Sequence, residues 1–107
     1  MNQGEWKLSL LGVIERVERI NLDKSGRNPR YKIQFHVRPI EVLEARDGME
    51  LPEDDAAVRF GAIEHRYKNV TGEVPVEGHR VRISGVATGI IPAHVALEEI
   101  EILATEH

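Results

Sequence analysis

The sequence predicts a single, mainly β domain, and three observations support this prediction. Its 107 residues, of which 41% are hydrophobic and 30% charged, provide one modest core and leave no room for a second. Turn-forming residues recur at intervals of about one strand length, and the chain has no internal repeat. Apolar and polar residues alternate strictly over residues 31–38, the pattern of a half-buried strand. A bundle of long helices is therefore not expected.

The first half of the chain predicts two long strands joined by a polar loop. The apolar positions change phase near Gly12, as expected if a glycine-assisted bulge bends a first strand of about residues 7–20. Residues 21–30 combine glycine and proline with polar side chains and form the predicted loop. The second strand begins at Tyr31 and runs beyond Pro39, which lacks an N–H group and marks an edge or a bend. This strand is expected to turn back in a hairpin.

The second half predicts three more strands and one short helix. Residues 57–61 form the third strand. Over residues 62–70, apolar side chains recur at helical spacing and a glutamate precedes a lysine by four residues, which predicts the helix. The fourth strand covers about residues 79–86, and the last covers residues 95–103. The predicted order is three strands, one helix and two strands.

The order of these elements and two of their sequences are similar to the OB-fold. The fourth strand is approached through Glu-Gly-His-Arg-Val-Arg-Ile-Ser-Gly at residues 77–85, and residues 97–103 read Leu-Glu-Glu-Ile-Glu-Ile-Leu. With the bent first strand and the helix between strands three and four, they resemble this five-stranded Greek-key barrel over nearly the whole chain. The resemblance implies one domain, residues 1–107, whose ligand surface comprises strands two and three and the loops at residues 21–30 and 89–93.

Charge is distributed unevenly along a chain whose net charge is −4 and whose isoelectric point is about 5.7. Residues 1–40 contain eight Lys or Arg and four Asp or Glu, a net of +4. Residues 41–55 contain one Arg and seven acidic residues, a net of −6. An acidic protein does not bind nucleic acid over its whole surface, but a local basic surface acts over about 8–10 Å. Two interpretations of the acidic segment stay open: a solvated hairpin, or a cover over the basic loop that would cancel its field.

Basic side chains surround a tyrosine at the end of the predicted first loop, and the string Arg-Tyr-Lys occurs there and again at residues 66–68. Cationic groups hold the phosphates of a single strand, while aromatic rings stack on its bases. Tyr31 also shares the apolar face of its strand, so a core position is the alternative to base stacking, and Trp6 has the same two interpretations. The candidate nucleic-acid-binding residues are Lys24, Arg27, Arg30, Tyr31, Lys32, Arg38, Arg66, Tyr67 and Lys68.

The outward face of the second strand is predicted to be polar, because its apolar residues occupy the alternate positions. Such side chains hold phosphates but stack poorly on bases. They are Lys32, Gln34, His36 and Arg38.

The sequence contains no arrangement of residues typical of an enzyme, a metal site or a cofactor site. It has no cysteine, which excludes disulfide frameworks, zinc ribbons and thiol chemistry. Neither a Gly-Lys-Ser/Thr phosphate loop nor a Gly-x-Ser-x-Gly turn occurs. The five histidines are dispersed, with no His-x-x-x-His pair. We therefore predict no catalytic residue, no metal ligand and no cofactor.

The sequence favours a small OB-type module that binds single-stranded DNA or RNA through the basic loop and the second and third strands. The alternative is a protein-interaction or assembly domain without nucleic-acid binding, favoured by the acidic isoelectric point, the few aromatic residues and the apolar stretch at residues 89–95. An enzyme or a small-ligand barrel is the third hypothesis. The chain has no apolar run of about 18 residues and no basic segment followed by an apolar one at its start. We expect a cytoplasmic protein without membrane association, as a monomer or a weak homo-oligomer.

Overall fold

The computed structural model describes residues 4–23, 25–50, 57–63, 66–89, 92 and 94–105. These residues form six strands, and no helix occurs among them. The mainly β chain that the alternation predicts is confirmed. The strands are β1 (Glu5–Asn21), β2 (Tyr31–Glu44), β3 (Val58–Ile63), β4 (Lys68–Asn69), β5 (His79–Thr88) and β6 (His94–Thr105).

The strands form one sheet in the order β3-β2-β1-β5-β6-β4, and a further pairing of β3 with β6 closes it. The pairings of β3 with β6 and of β4 with β6 are parallel, and all the others are antiparallel. The five long strands therefore surround a common interior, and β4 continues the edge of β6 beyond β3. Closure gives each long strand two neighbours along part of its length, which protects most of the strand edges.

The core lies inside the closed sheet and is made by alternate residues of each strand. Phe35 and Phe60, which pair across β2 and β3, are fully buried and provide its largest side chains. Burying a side chain of this kind contributes about 1.5–3 kcal/mol. Because this face of each strand points inward, the alternate residues form the outer surface. Further fully buried side chains are Leu8, Leu10, Ile14, Val37, Val58, Val81, Ile83 and Ile100.

The pairing of β1 with β2 has three register shifts, between Ser9 and Leu10, directly before Gly12, and between Ile14 and Arg16. A Cβ atom at Gly12 would lie 2.5 Å from Val37 Cγ1 and 2.6 Å from the carbonyl oxygen of Arg38. The two strands therefore approach each other more closely here than any side chain on Gly12 would allow. The glycine-assisted bulge predicted for the first strand is confirmed.

The helix predicted over residues 62–70 is wrong. The segment begins with the last two residues of β3, and β4 lies further along it. Residues 64 and 65 lie outside the described residues. The backbone N–H of Val70 donates to a β6 carbonyl oxygen at 2.9 Å, so it does not make the bond to a residue four positions earlier that a helix requires. Tyr67 packs edge-on against Phe35, with ring centroids 6.1 Å apart. Pairing with β6 and packing against the core thus outweigh the helical spacing.

Candidate binding surface

Four side chains line up across four strands on the outer surface of the sheet. In Cα register, Arg16 of β1 lies opposite His36 of β2, and Arg59 of β3 lies on the other side of His36. Arg59 in turn lies opposite His94 of β6. Neighbouring strands are about 4.8 Å apart, so these four residues, which we call the basic row, span about 14 Å. Arg16, Arg59 and His94 are exposed, and His36 is half-buried.

A second row runs beside the basic row, two residues away on each strand. Its residues at the β3 and β6 positions are Gly61 and Ala96, which are the smallest side chains available and make the surface low. A Cβ atom at Gly61 would lie 2.6 Å from Lys32 Cε, so the aliphatic part of the Lys32 side chain lies along this floor. The basic row thus borders a shallow floor that carries a further cation. The four residues of the second row are Glu18, Gln34, Gly61 and Ala96.

The Glu18 carboxylate connects the two rows. Its Oε1 accepts a hydrogen bond from His36 Nε2, and its Oε2 lies 3.6 Å from the Arg16 guanidinium. The bond from His36 holds the pKa of Glu18 below its usual range; desolvation opposes this shift, and the charges of Arg16, His36 and Arg59 support it. Since an ionised carboxylate only accepts hydrogen bonds, His36 Nε2 carries the proton. The His36 side chain is 13% exposed and that of Glu18 is 29% exposed, so the pair lies at the base of the surface.

The four residues predicted for the outward face of β2 occupy the positions that alternate with the buried Phe35 and Val37. Gln34 is itself buried, and its amide nitrogen lies 3.5 Å from the imidazole of the histidine that follows two residues later. Arg38 Nε lies 3.2 Å from Glu15 Oε1, in an ion pair whose two side chains are 49% and 41% exposed. An exposed pair of this kind contributes about 0–1 kcal/mol, so Arg38 can exchange partners at little cost.

One carboxylate organises the loop between β1 and β2. Asp23 accepts hydrogen bonds from the backbone N–H and the hydroxyl of Ser25, at 2.9 and 2.6 Å, and from the N–H of Asn28 at 2.7 Å. The bond from the Ser25 hydroxyl, followed by the backbone bonds, lowers the pKa of Asp23. At the base of the loop, the N–H of Leu22 donates to the carbonyl oxygen of Arg30 at 2.7 Å. The loop is therefore held in one shape although it is exposed.

The loop presents two of the predicted cations to solvent. Arg27 and Arg30 are exposed, whereas Lys24 lies outside the described residues. Tyr31 is half-buried, and the guanidinium carbon of Arg19 lies 4.1 Å from the centroid of its ring. One face of the Tyr31 ring is thus covered by a cation of the protein itself.

The second Arg-Tyr-Lys string, residues 66–68, is separate from the basic row. Tyr67 packs against the core, and Lys68 pairs with β6 beyond the end of β3. Trp6 is buried, and its Nε1 donates to the carbonyl oxygen of Gly89 at 2.7 Å. Of the two interpretations of Trp6, the structure therefore supports the packing position.

Sequence reasoning missed three members of the basic row and the carboxylate beside it. Arg59 and His94 each precede a buried apolar residue at the beginning of a strand, and this alternation could have marked them as outward-facing. It does not show which strands are neighbours, and a register shift of one residue would move each side chain to the other face. The residues missed are Arg16, Glu18, Arg59 and His94.

A second part of the outer surface, which we call the far face, carries charges of both signs. Leu11 of β1 lies opposite Glu41 of β2 on one side and Arg82 of β5 on the other. Arg82 lies opposite Glu101 of β6, and their charged groups are 3.8 Å apart. The far face therefore combines one arginine with two carboxylates.

The described part of the acidic segment lies away from the basic loop. Glu41 and Glu44 belong to the end of β2, whereas the loop joins β2 at Tyr31. Ten residues of strand extend over roughly 33 Å, so these two carboxylates are far from the loop cations. Residues 51–55 of the segment lie outside the described residues.

No protein-family model, curated protein or solved structure matches this chain significantly. Within the ranges that the structure describes, no helix has the length and the apolar character needed to cross a membrane. In the same ranges, no three His, Asp or Glu side chains are grouped so that they could hold a metal ion. The basic row and its floor are thus the features from which a function can be inferred.

Proposed function

We propose that this chain is a small OB-type module that binds single-stranded nucleic acid on the outer surface of β1, β2, β3 and the beginning of β6. The strand order supports the OB assignment, because β1 pairs with both β2 and β5 and the parallel pair of β3 and β6 closes the barrel. Barrels of this type bind oligonucleotides on the face of their second and third strands. The basic row crosses that face.

The observation that carries the proposal is the basic row itself. Two guanidinium groups and two imidazoles from four strands face the same side over about 14 Å. The two guanidinium groups neutralise phosphates and release the counterions that surround them, while imidazole N–H groups donate hydrogen bonds to phosphate oxygens. Lys32, whose aliphatic chain lies over Gly61, adds a further cation beside the row.

Phosphate contacts should dominate over base stacking on this surface. Tyr31 already carries the Arg19 guanidinium on one ring face, and Trp6 is buried. Arg27 and Arg30 extend the cationic surface along the loop between β1 and β2. We therefore expect binding with a strong salt dependence and a weak sequence preference.

The test is the fluorescence anisotropy of labelled single-stranded DNA and RNA of about 10 nucleotides, within the site size of one such barrel. At roughly 50 mM salt we expect micromolar or tighter binding, which weakens steeply at roughly 200 mM salt. Arg59→Glu and Arg16→Glu should abolish binding at the lower salt, and Arg27→Glu with Arg30→Glu should weaken it. Arg82→Glu makes the same charge change on the far face and should have little effect. Equal losses from Arg59→Glu and Arg82→Glu would show that only net charge matters and would contradict the proposal.

A protein-interaction domain is the second candidate, and one strand edge favours it. Residues 38–44 of β2 pair with β1, and no described strand pairs with their other edge. Ile40 and Leu43, each 45% exposed, lie on this segment, and an extended peptide could add to such an edge. Ile90 and Ile91, on which the sequence prediction of an apolar patch depended, lie outside the described residues. If neither DNA nor RNA binds at the lower salt, capture of a partner that Ile40→Lys abolishes would support this candidate.

A further inference from the structure

The members of the basic row differ in whether a carboxylate of the protein contacts them. Arg16 and His36 both contact the Glu18 carboxylate, one oxygen each. Among the described residues, no carboxylate lies within ion-pair distance of Arg59 or His94. The half of the row on β1 and β2 therefore already holds an anion, whereas the half on β3 and β6 faces solvent.

We propose that Glu18 is an internal anion that occupies the Arg16 and His36 half of the row and that a phosphate group has to displace. The inference rests on the proposed function for its natural ligand, the phosphodiester of a single strand. Its chemistry is that of any phosphate, because a phosphate oxygen accepts the same charge-assisted hydrogen bonds as a carboxylate oxygen. Glu18 would thus set the affinity of the surface by competing for two of the four side chains of the row.

The geometry allows this exchange. The Glu18 side chain projects from the outer face of β1 and is 29% exposed, so it can rotate away without disturbing the core. His36 is much less exposed, at 13%, and stays in place as the donor. Gln34, directly opposite Glu18, keeps the base of the site polar when the carboxylate leaves.

Glu15 provides a matched control. It lies on the same strand, and its carboxylate pairs with Arg38 at 3.2 Å in a pair so exposed, 49% and 41%, that Arg38 can already exchange partners without the substitution. Glu15→Gln and Glu18→Gln remove the same charge from the same strand, but only Glu18→Gln removes it from the carboxylate that contacts both Arg16 and His36. A specific role of Glu18 therefore predicts different effects of the two substitutions.

The experiment titrates five proteins with labelled oligonucleotide and, separately, with tripolyphosphate. They are the wild type, Glu15→Gln, Glu18→Gln, His36→Gln and the double variant that combines Glu18→Gln with His36→Gln. Glu18→Gln should tighten binding about fivefold, as expected for the loss of one competing ion pair, and Glu15→Gln less than about twofold. In the His36→Gln background, the gain from Glu18→Gln should shrink, because only the contact of Glu18 with Arg16 remains and coupled residues are not additive. In the wild type, the ¹⁵N signals of the His36 ring should shift on addition of tripolyphosphate, a readout that needs no substitution.

Equal gains from Glu15→Gln and Glu18→Gln, an unchanged gain in the His36→Gln background, or His36 ring signals that do not respond to tripolyphosphate would overturn the inference. Failure of the proposed function gives a different result. In that case the oligonucleotide does not bind, while tripolyphosphate still binds more tightly to Glu18→Gln than to Glu15→Gln. If the oligonucleotide binds and the two variants behave alike, the proposed function stands and the internal anion does not.

Discussion

Three glycines in the strands differ in what surrounds them. A Cβ atom at Gly12 would meet the neighbouring strand at 2.5 Å, and one at Gly85 would overlap the carbonyl group of Ala96. At Gly61 the nearest atom, at 2.6 Å, is the movable end of the Lys32 side chain. Strand backbone therefore excludes a side chain at the first two positions, and a flexible side chain occupies the space at the third.

Substitution by alanine should lower the free energy of unfolding much more at Gly12, next to strand backbone, than at Gly61, next to a flexible side chain. Gly12→Ala forces β1 away from β2 and should lower the free energy of unfolding by about 2–3 kcal/mol, as overpacking does in other cores. Gly61→Ala should change it by less than about 1 kcal/mol, because the Lys32 chain can move and alanine suits a strand better than glycine. Urea denaturation followed by circular dichroism measures both. Equal losses at the two positions would mean that the close approach at Gly12 is not what the fold depends on.

The order of the loop between β1 and β2 should depend on pH through Asp23. Hydrogen bonds from the Ser25 hydroxyl and then from backbone N–H groups lower the pKa of this carboxyl. A carboxyl with a lowered pKa in the folded state stabilises that state above its usual pKa, and the contribution is lost as the pH falls through the lowered value. The amide NMR signals of Ser25 and Asn28 should therefore move together towards random-coil positions in acid, and Asp23→Ala should show the same change at neutral pH. Asp47→Ala, in another exposed turn, is the control, and an unchanged loop in Asp23→Ala would refute this role.

At the scale of elements, the two-residue strand β4 depends on a side chain that follows it. The Thr71 hydroxyl accepts a hydrogen bond from the N–H of Ile102 at 2.8 Å and lies 3.2 Å from the carbonyl oxygen of the same residue. It thus takes the place of a strand partner for β6 where β4 has ended. Together with the bond from the N–H of Val70 to β6, it holds the segment between β3 and β5 on the barrel.

Removal of the Thr71 hydroxyl should loosen this segment. Thr71→Val keeps the shape of the side chain but leaves the Ile102 N–H without its acceptor, and should cost about 1–2 kcal/mol. Thr71→Ser keeps the hydroxyl and should cost less. The comparison uses the midpoints of urea denaturation, and the faster hydrogen exchange expected at Ile102 in Thr71→Val localises the effect. Identical midpoints for the two variants would argue against the hydroxyl as the connection.

The strands could be predicted from the sequence because alternation is a local signal. The outward residues of β2 followed from it directly, and so did the bulge, since a glycine at a change of apolar phase is typical of one. The helix prediction failed because the backbone of this segment pairs with β6, which a local pattern does not reveal. The basic row could not be predicted, because it joins residues as distant as Arg16 and His94 through the register of three strand pairings.

At the scale of the whole molecule, the net charge of −4 conceals two different surfaces. The basic row and Lys32 lie on one side, while Glu41 and Glu101 lie on the far face. The field that an approaching anion experiences at 0.1 M salt extends over about 10 Å, so each surface acts separately. Under the proposed function, Arg16, Arg59 and Lys32 would attract a phosphate backbone locally although the whole molecule is acidic.

The most direct test of the proposal that the basic row binds a single strand is a ¹H,¹⁵N NMR titration of the folded protein. The titrant is a single-stranded oligonucleotide at low salt. We expect the shifted backbone signals to cluster at Arg16, His36, Arg59 and Ala96, and the side-chain signals of Arg59 to shift as well. The signals of the far face, with Arg82 as the marker, should stay unchanged. Shifts centred on the far face, or no shifts at oligonucleotide concentrations that saturate weak sites, would contradict the central claim that the basic row binds the strand.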